Sequence, residues 1–325
     1  MPPKKICGGI KNFLPAGPLM LVCHSSYEPR AEAISRLDFE SVDLQAVGIL
    51  ATSETLMLKD YAERTERLIT FFTSIAKTKV ELISAERMNR ISWIQQLHKL
   101  LEAAIVAGIK NVLVDISAFP RDRMWCVLDC IRRTNSIIGI FILYTEPGRY
   151  DSESGNDGWL TRGVRSISPI PGFNGYQNTK RQTLLVLIVG HEYERAHITI
   201  KNSEPQKVVL IGQGAEQYRE GSPRLSDTII EQIGNEYDSI VDLTHATFIN
   251  SRDYIQTRDK INEVIQQYGG NFNIVVATYG TKLQSLGAML ACQANRSVRA
   301  IYAEPQSYNV SGYSTGAGNS WILQI

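Results

Sequence analysis

Long apolar runs are missing from this chain. The longest, residues 137–144 and 184–189, have the length of a β-strand and fall short of the roughly 20 residues a helix needs to span a bilayer. Charge of one sign is missing as well. The 34 Lys and Arg nearly cancel the 33 Asp and Glu, leaving +1, so the basic excess of a protein that coats nucleic acid non-specifically is absent. A local basic pocket stays open. Cysteine is scarce: Cys7, Cys23, Cys126, Cys130 and Cys292 are odd in number and lack repeated close spacing. That pattern argues against a disulfide framework and for free thiols in a reducing compartment. Cys126 and Cys130 share a helical face, but no His or Cys pair elsewhere completes a ligand set, and they read as small buried residues. Residues 1–17 carry Lys4, Lys5 and Lys11 without a sustained apolar run, so no signal peptide is expected. These absences predict a soluble cytoplasmic protein with no metal and no cofactor.

Catalytic signatures are equally thin. His-Glu-x-x-His does not occur, and no Gly-x-Gly-x-x-Gly follows the first strand of either half. Gly312-Tyr313-Ser314-Thr315-Gly316 matches the Gly-x-Ser-x-Gly of a nucleophile elbow. The elbow needs a strand before it, a helix after it and a later His. Here a Gly- and Ser-rich tail surrounds the string and no His follows, so a flexible turn is expected.

What the chain does have is alternation. Short apolar segments at 19–23, 46–51, 80–84, 112–116 and 137–144 are separated by amphipathic stretches at 64–77, 91–108 and 121–134. Strands without internal alternation, linked by helices, predict parallel sheets covered on both faces. Gly108 stands where a left-handed helix cap belongs. The second half repeats the order, with strands expected at 184–189, 208–211, 240–243, 274–278 and 298–302 and helices at 225–236, 251–268 and 282–295.

The halves also match residue by residue. Tyr27-Glu28-Pro29-Arg30-Ala31 corresponds to Tyr193-Glu194-Arg195-Ala196, and Asn111-Val112-Leu113-Val114 to Asn273-Ile274-Val275-Val276. Tyr144-Thr145-Glu146-Pro147 corresponds to Tyr302-Ala303-Glu304-Pro305. Tyr150 and Tyr308 follow at equal distance, and Trp159 and Trp321 follow the Gly-rich segments beyond. The expectation is an α/β chain of two tandem Rossmann-like units, each a mostly parallel sheet flanked by helices, related by internal duplication. Residues 1–150 form the first unit, 151–181 a Gly/Ser/Pro-rich connector packed at the junction, and 182–325 the second.

Ligands of open parallel sheets bind beyond the carboxyl ends of the strands. After the fourth strand of the second unit comes Thr278-Tyr279-Gly280-Thr281-Lys282, running into a helix with Ser285 and Gly287. Backbone N–H groups, a hydroxyl and a cation at a helix start suit a phosphate or another anion; a helix cap with a solvated lysine is the alternative. The matching turn, Ser117-Ala118-Phe119-Pro120-Arg121, has lost the Gly and the Lys but keeps Ser117 and Arg121. The repeated Glu and Arg after the first strands, beside Tyr27, Arg30, Tyr193 and Arg195, read as ligand contacts or as an internal pair holding the turn. Glu146 and Glu304 could bind ribose hydroxyls, act as acid–base groups or cap a helix. Among His24, His98, His191, His197 and His245, the pair His191 and His245 are candidates at one strand edge.

Tandem Rossmann-like units with the Thr278-Tyr279-Gly280-Thr281-Lys282 turn, opening a helix with the small residue Gly287, resemble the CARF and SAVED sensor domains of bacterial antiviral systems. The resemblance implies a cyclic nucleotide second messenger as ligand. Lys282, Thr281 and the Gly280 backbone would hold phosphate, Arg30, Arg121 and Arg195 would add positive charge, and Tyr27, Tyr193 and Tyr279 would stack on bases. It departs from the family pattern in unit one, whose turn lacks Gly and Lys. With no effector domain recognised in the chain, the signal is expected to pass to a separate effector protein, in a homo- or hetero-oligomer. The alternatives are a nucleotide-processing enzyme, a glycosidase or phosphohydrolase using Glu146 or Glu304 with His191 or His245, and a ligand-free scaffold.

Overall fold

The computed structural model describes residues 2–150, 159–217 and 224–325, and residues 151–158 of the expected connector lie outside these. The strands are β1 (Lys4–Lys5), β2 (Leu19–His24), β3 (Leu44–Thr52), β4 (Lys79–Ala85), β5 (Asn111–Asp115), β6 (Gly139–Tyr150), β7 (Thr161–Pro169), β8 (Gln182–Ile188), β9 (Lys207–Gln213), β10 (Thr247–Ile249), β11 (Phe272–Thr278), β12 (Arg299–Tyr308) and β13 (Ser314–Gln324). The helices are α1 (Ser53–Leu56), α2 (Lys59–Ile75), α3 (Arg90–Val106), α4 (Arg121–Arg132), α5 (Tyr193–Ser203), α6 (Leu225–Glu236), α7 (Tyr254–Tyr268) and α8 (Lys282–Ala294).

Two Rossmann-like sheets result. The first has the order β1-β13-β6-β5-β2-β3-β4 and the second β10-β9-β8-β11-β12-β7. Apart from β1 they are the same arrangement, as the duplicated sequence predicts. Pairing is parallel through β6-β5-β2-β3-β4 and through β10-β9-β8-β11-β12. All six residues of β2 are buried, because helices cover both sheet faces and leave no side for polar alternation. Leu21, Val47, Leu113 and Leu143 anchor one core, and Leu187, Leu210, Val275 and Ile301 the other.

Helix boundaries follow local chemistry. The Asn89 side chain caps α3 through Ser92 N, and Asp253 caps α7 through the amides of Ile255 and Gln256. Gly108 ends α3 with φ +82°, the left-handed conformation expected of it. Gly287 lets α8 approach α7, since a Cβ there would lie 2.2 Å from Tyr254 O.

Three elements differ from expectation. Residues 240–243 do not form the third strand of the second unit. Only Val241 bridges Val208; Asp242 then caps a 3₁₀ turn through Thr244 N, and the strand resumes as β10. Helix α5 follows β8 where no helix was expected. Third, the Gly- and Ser-rich stretches contain the long strands β7 and β13. β7 pairs antiparallel with β12. β13 lies between β1 and β6, antiparallel to β6, because Ile325 N bonds Ile140 O while Gly318 abuts Pro147 O. The compact units are therefore residues 3–149 with 314–325, and residues 150–313. The expected division placed 314–325 in the second unit; strand pairing places it in the first. Among the described residues no helix is long and apolar enough to cross a membrane.

Candidate functional site

In the second unit the chain leaves the two central strands in opposite directions. From β8 it runs through α5 to β9 on one side; from β11 it runs through α8 to β12 on the other. This is the switch point of the sheet, beyond which ligands of open parallel sheets bind. The loops there meet backbone to backbone. A Cβ on Gly190 would lie 2.0 Å from Tyr279 O, and one on Gly280 would lie 2.2 Å from Gln284 Oε1 and 2.9 Å from Ile188 Cγ2. A side chain at 190 would collide with backbone, and one at 280 would displace the Gln284 side chain.

Helix α8 starts here with a capping box. Gln284 N donates to Thr281 Oγ1 (3.2 Å), and Thr281 N donates to Gln284 Oε1 (3.0 Å). Thr281 Oγ1 in turn donates to Ser251 O (2.6 Å), and Gln284 Nε2 to Gly212 O (3.2 Å). The Thr281 hydroxyl thus serves the cap. Lys282, the first residue of the helix, is only 8% exposed. It places a cation where the helix dipole is already positive, an arrangement that an anion stabilises.

Strands β7 and β12 form an antiparallel ribbon that continues past the parallel strands. β11 accompanies β12 only as far as Ile301, whereas the ribbon pairs on to Tyr308 opposite Thr161. The loop after β8 ties it down: Thr161 Oγ1 donates to Glu192, and Gly163 N donates to Glu194 Oε2 (2.9 Å). Arg195, 2% exposed, pairs with Glu192 (2.8 Å), donates to Ala303 O (2.7 Å) and lies 4.6 Å over the Tyr279 ring and 5.2 Å over that of Tyr302. The Tyr279 hydroxyl lies 2.5 Å from Thr199 Oγ1. Arg195 and Tyr279 are therefore parts of the interior.

A row of rings runs from the ribbon to the loop after β8. Tyr308 and Tyr313 have centroids 6.3 Å apart, Tyr313 and Tyr150 6.1 Å, and Tyr150 and His191 5.5 Å. Tyr150 and Tyr308 were visible in the sequence as a repeated pair. Their meeting with Tyr313 and His191 depends on strand exchange and left no local signal.

The first unit fills the corresponding place with side chains. The His24 ring lies 5.0 Å from Phe119 and 5.6 Å from Trp93. Arg30 pairs with Glu28 (2.7 Å) and donates to Thr145 O (3.5 Å), the counterpart of Arg195 with Glu192 and Ala303. Ser314 Oγ donates to Glu28 (3.3 Å), so the Gly-x-Ser-x-Gly string lies at the start of strand β13. Tyr27 packs edge-on against Tyr61 (5.8 Å), and Arg121 is partly buried at the start of α4.

Ser117 is buried. Its amide (3.0 Å) and its hydroxyl both donate to Asp115 Oδ1, and its oxygen accepts from Thr145 N (2.7 Å). Burial pushes the Asp115 carboxyl from 3.8 up to about 6, against the downward pull of Ser117 and Arg30. The sign follows from the raised value. Below pH 3.8 both folded and unfolded chains hold the proton; between 3.8 and 6 only the folded chain does, so stability falls as pH rises. Above pH 6 the full cost, about 3 kcal/mol, is in place. Asp115→Asn keeps the acceptor for Ser117 and removes the buried charge. It is expected to raise stability by up to about 3 kcal/mol at pH 8 and by little at pH 4, as urea titrations at the two pH values would show. Equal effects at both would contradict the raised value.

The remaining candidates are dispersed. Glu304 is 1% exposed on β12, opposite Ser166 at a register shift, and Glu146 lies partly buried on β6 beside Gly318. Tyr193 points away from the switch point to α6: its hydroxyl donates to Glu236 and lies 3.3 Å from His197 Nδ1. Burial and Glu236 push it up to about 12. His245 precedes β10 and pairs with Asp242 (2.7 Å). Val241 stands level with Val208 and Thr247 with Ile211, so His245 lies in the turn between them along the outer edge of the sheet, while His191 follows the carboxyl end of β8. Among the described residues no three His, Cys, Asp or Glu side chains cluster to hold a metal.

With this geometry in view, the likenesses to known proteins can be placed. A family model described as "HFX_2341_N:-like, N-terminal" matches residues 184–308, the stretch from β8 to the end of β12. No curated protein matches by sequence. A Type III CRISPR defence DNA nuclease activated by cyclic oligoadenylate is similar in structure, with a TM-score of 0.54 and 9% identity over 93% of this chain and 67% of that one. UDP-GlcNAc 2-epimerase from Neisseria meningitidis, bound to UDP-GlcNAc, reaches a TM-score of only 0.26 at 9% identity over 81% of this chain and 77% of that one, too little to bear on function. What the chain shares with the nuclease is its Rossmann-like α/β fold.

Proposed function

We propose that this protein is a nucleotide-responsive sensor of a bacterial antiviral defence system. Its second unit binds a phosphate-bearing ligand over the switch point, and it acts through a separate effector protein. Lys282 carries the reading: a nearly buried cation at the positive end of α8, beside the backbone approach of Tyr279 to the loop after β8 that Gly190 permits. A helix start with a cation and backbone N–H groups suits a phosphate. The shared fold with a nuclease activated by cyclic oligoadenylate supports cyclic oligoadenylates as the first ligands to test. In unit one, Ser117 and Arg30 are engaged internally and Phe119 and His24 occupy the matching turn, which favours the second unit as the ligand-binding one. Glu304, a candidate for the enzyme reading, is buried within β12.

Calorimetry with cyclic and linear oligoadenylates, NAD and nucleoside triphosphates, followed by chromatography of each mixture, tests this. Binding of a cyclic oligoadenylate without products is expected, and turnover would move the assignment to an enzyme. Saturation at about 100 times the dissociation constant should stabilise the chain by roughly 2.7 kcal/mol. Lys282→Ala removes a charge-assisted contact of about 1.5–3 kcal/mol and should weaken binding by roughly 10- to 150-fold. Unchanged affinity in that variant would refute the phosphate role of Lys282.

A further inference from the structure

Between α5 and the end of α6, four side chains bring polar atoms to one spot. Tyr193 and His197 stand one turn apart on α5 and so share a face. Glu236 ends α6, and Tyr237 follows it with φ −120° and ψ 35°, outside the helical range. In a continuing helix successive side chains diverge by about 100°; leaving the helix here lets both reach α5. The Tyr193 and Tyr237 rings pack on the core, while His197 and Glu236 keep 23% and 37% of their side chains exposed, so an ion from solvent can reach them. His197 Nδ1 meets three oxygens: Glu236 Oε1 at 2.9 Å, the Tyr237 hydroxyl at 3.0 Å and the Tyr193 hydroxyl at 3.3 Å. Tyr193 also donates to Glu236 Oε2. A ring nitrogen has one proton or one lone pair, so hydrogen bonding accounts for one of its three contacts. Donor atoms about 2.0–2.2 Å from a common metal ion stand about 3 Å apart when at right angles, which is the spacing these groups have.

We propose that Tyr193, His197, Glu236 and Tyr237 form a metal site that takes ferric iron. The inference is independent of the nucleotide reading. On binding, the two phenols release their protons to solvent and no electron is transferred. Two phenolates and one carboxylate then match the three positive charges of the ion, and the imidazole joins as a neutral donor. A divalent ion would leave a net negative charge in a half-buried place, and calcium or magnesium would take oxygen in preference to the imidazole. The expectation of no metal looked to cysteine and histidine pairs; here tyrosines from two helices complete the set.

The test adds ferric nitrilotriacetate to the whole chain and follows visible absorption, since iron held by phenolate gives a charge-transfer band that the reagent lacks. The wild type should develop the band and saturate at equimolar iron. Tyr193→Phe and Tyr237→Phe should each reduce the band and weaken iron binding by about 10- to 100-fold, and the double variant should show no band. Both changes remove only a hydroxyl, and urea unfolding of the iron-free chains checks that the variants fold. Glu236→Gln should weaken binding yet keep the band at saturating iron, because both phenolates remain. Iron should also raise the unfolding temperature of the wild type, since the ion joins α5 to α6. No band in the wild type, or a band of equal strength in the double variant, would overturn the site.

Discussion

Replacing Arg195 by alanine is expected to destabilise the second unit by about 3–5 kcal/mol, the cost of breaking a buried ion pair from one side. The variant leaves the Glu192 carboxylate buried without its cation and removes the Arg195 donor to Ala303 O on β12. It also removes the cation held between the Tyr279 and Tyr302 rings. Much of the loss comes from the uncompensated acid rather than from the arginine itself. The double variant Glu192→Gln with Arg195→Met should therefore be more stable than Arg195→Ala alone, because it buries no charge. Thermal or urea unfolding of the three chains checks this. A loss below about 1 kcal/mol for Arg195→Ala would place the pair in water. Arg30→Ala should act in the same direction in the first unit, and less strongly, since its bond to Thr145 O is long at 3.5 Å. None of this involves ligand: both arginines fasten the loop after the first strand to the fifth strand, and the duplication preserved them for that.

The same arginines show what sequence reasoning could reach. The repeated Tyr, Glu and Arg were visible, and one of their two readings was an internal pair. Yet the pairing by position joined Glu28 to Glu194, whereas contacts join Glu28 to Glu192 as arginine partners. Glu28 stands two residues before its arginine and Glu192 three, so position and role slipped apart. Strands buried on both faces announced themselves as apolar runs, and α6 was read to the residue because its isoleucines recur at helical spacing. Helix α5 did not, since its buried face is only Arg195, Ala196, Thr199 and Ile200. Strands β7 and β13 were hidden because they owe their existence to long antiparallel pairing rather than to apolar content. Of the site, the Gly280-Thr281-Lys282 turn was visible locally. Gly190 gave no hint of its role, because its need for no side chain comes from Tyr279, far along the chain.

Ending the chain at Tyr313 should unfold the first unit, which contains no other residue of the second half. The deleted strand β13 lies inside the first sheet, between β1 and β6. It buries Ile322 and Leu323, each contributing about 1.5–3 kcal/mol. It also accepts from Ile6 N at Ser320 O (2.9 Å), donates from Ile325 N to Ile140 O (3.1 Å) and meets Thr145 Oγ1 at Ser320 Oγ (2.8 Å). The sum exceeds about 5 kcal/mol, the lower end of a whole domain's stability, and an unpaired β6 edge would also invite aggregation. Residues 150–313 keep every strand of their own sheet, so the loss should be one-sided. Hydrogen exchange should report lost protection in β2, β3 and β5 and retained protection in β8, β9 and β11. A peptide of residues 314–325 added in trans should restore the first set by strand addition. Uniform protection in the shortened chain would mean that the first sheet closes without β13; uniform loss would mean that the second unit depends on the first. The expected pattern makes strand exchange, and not sequence order, the boundary of folding: the half of the chain that carries Lys282 also supplies the strand that completes the other unit.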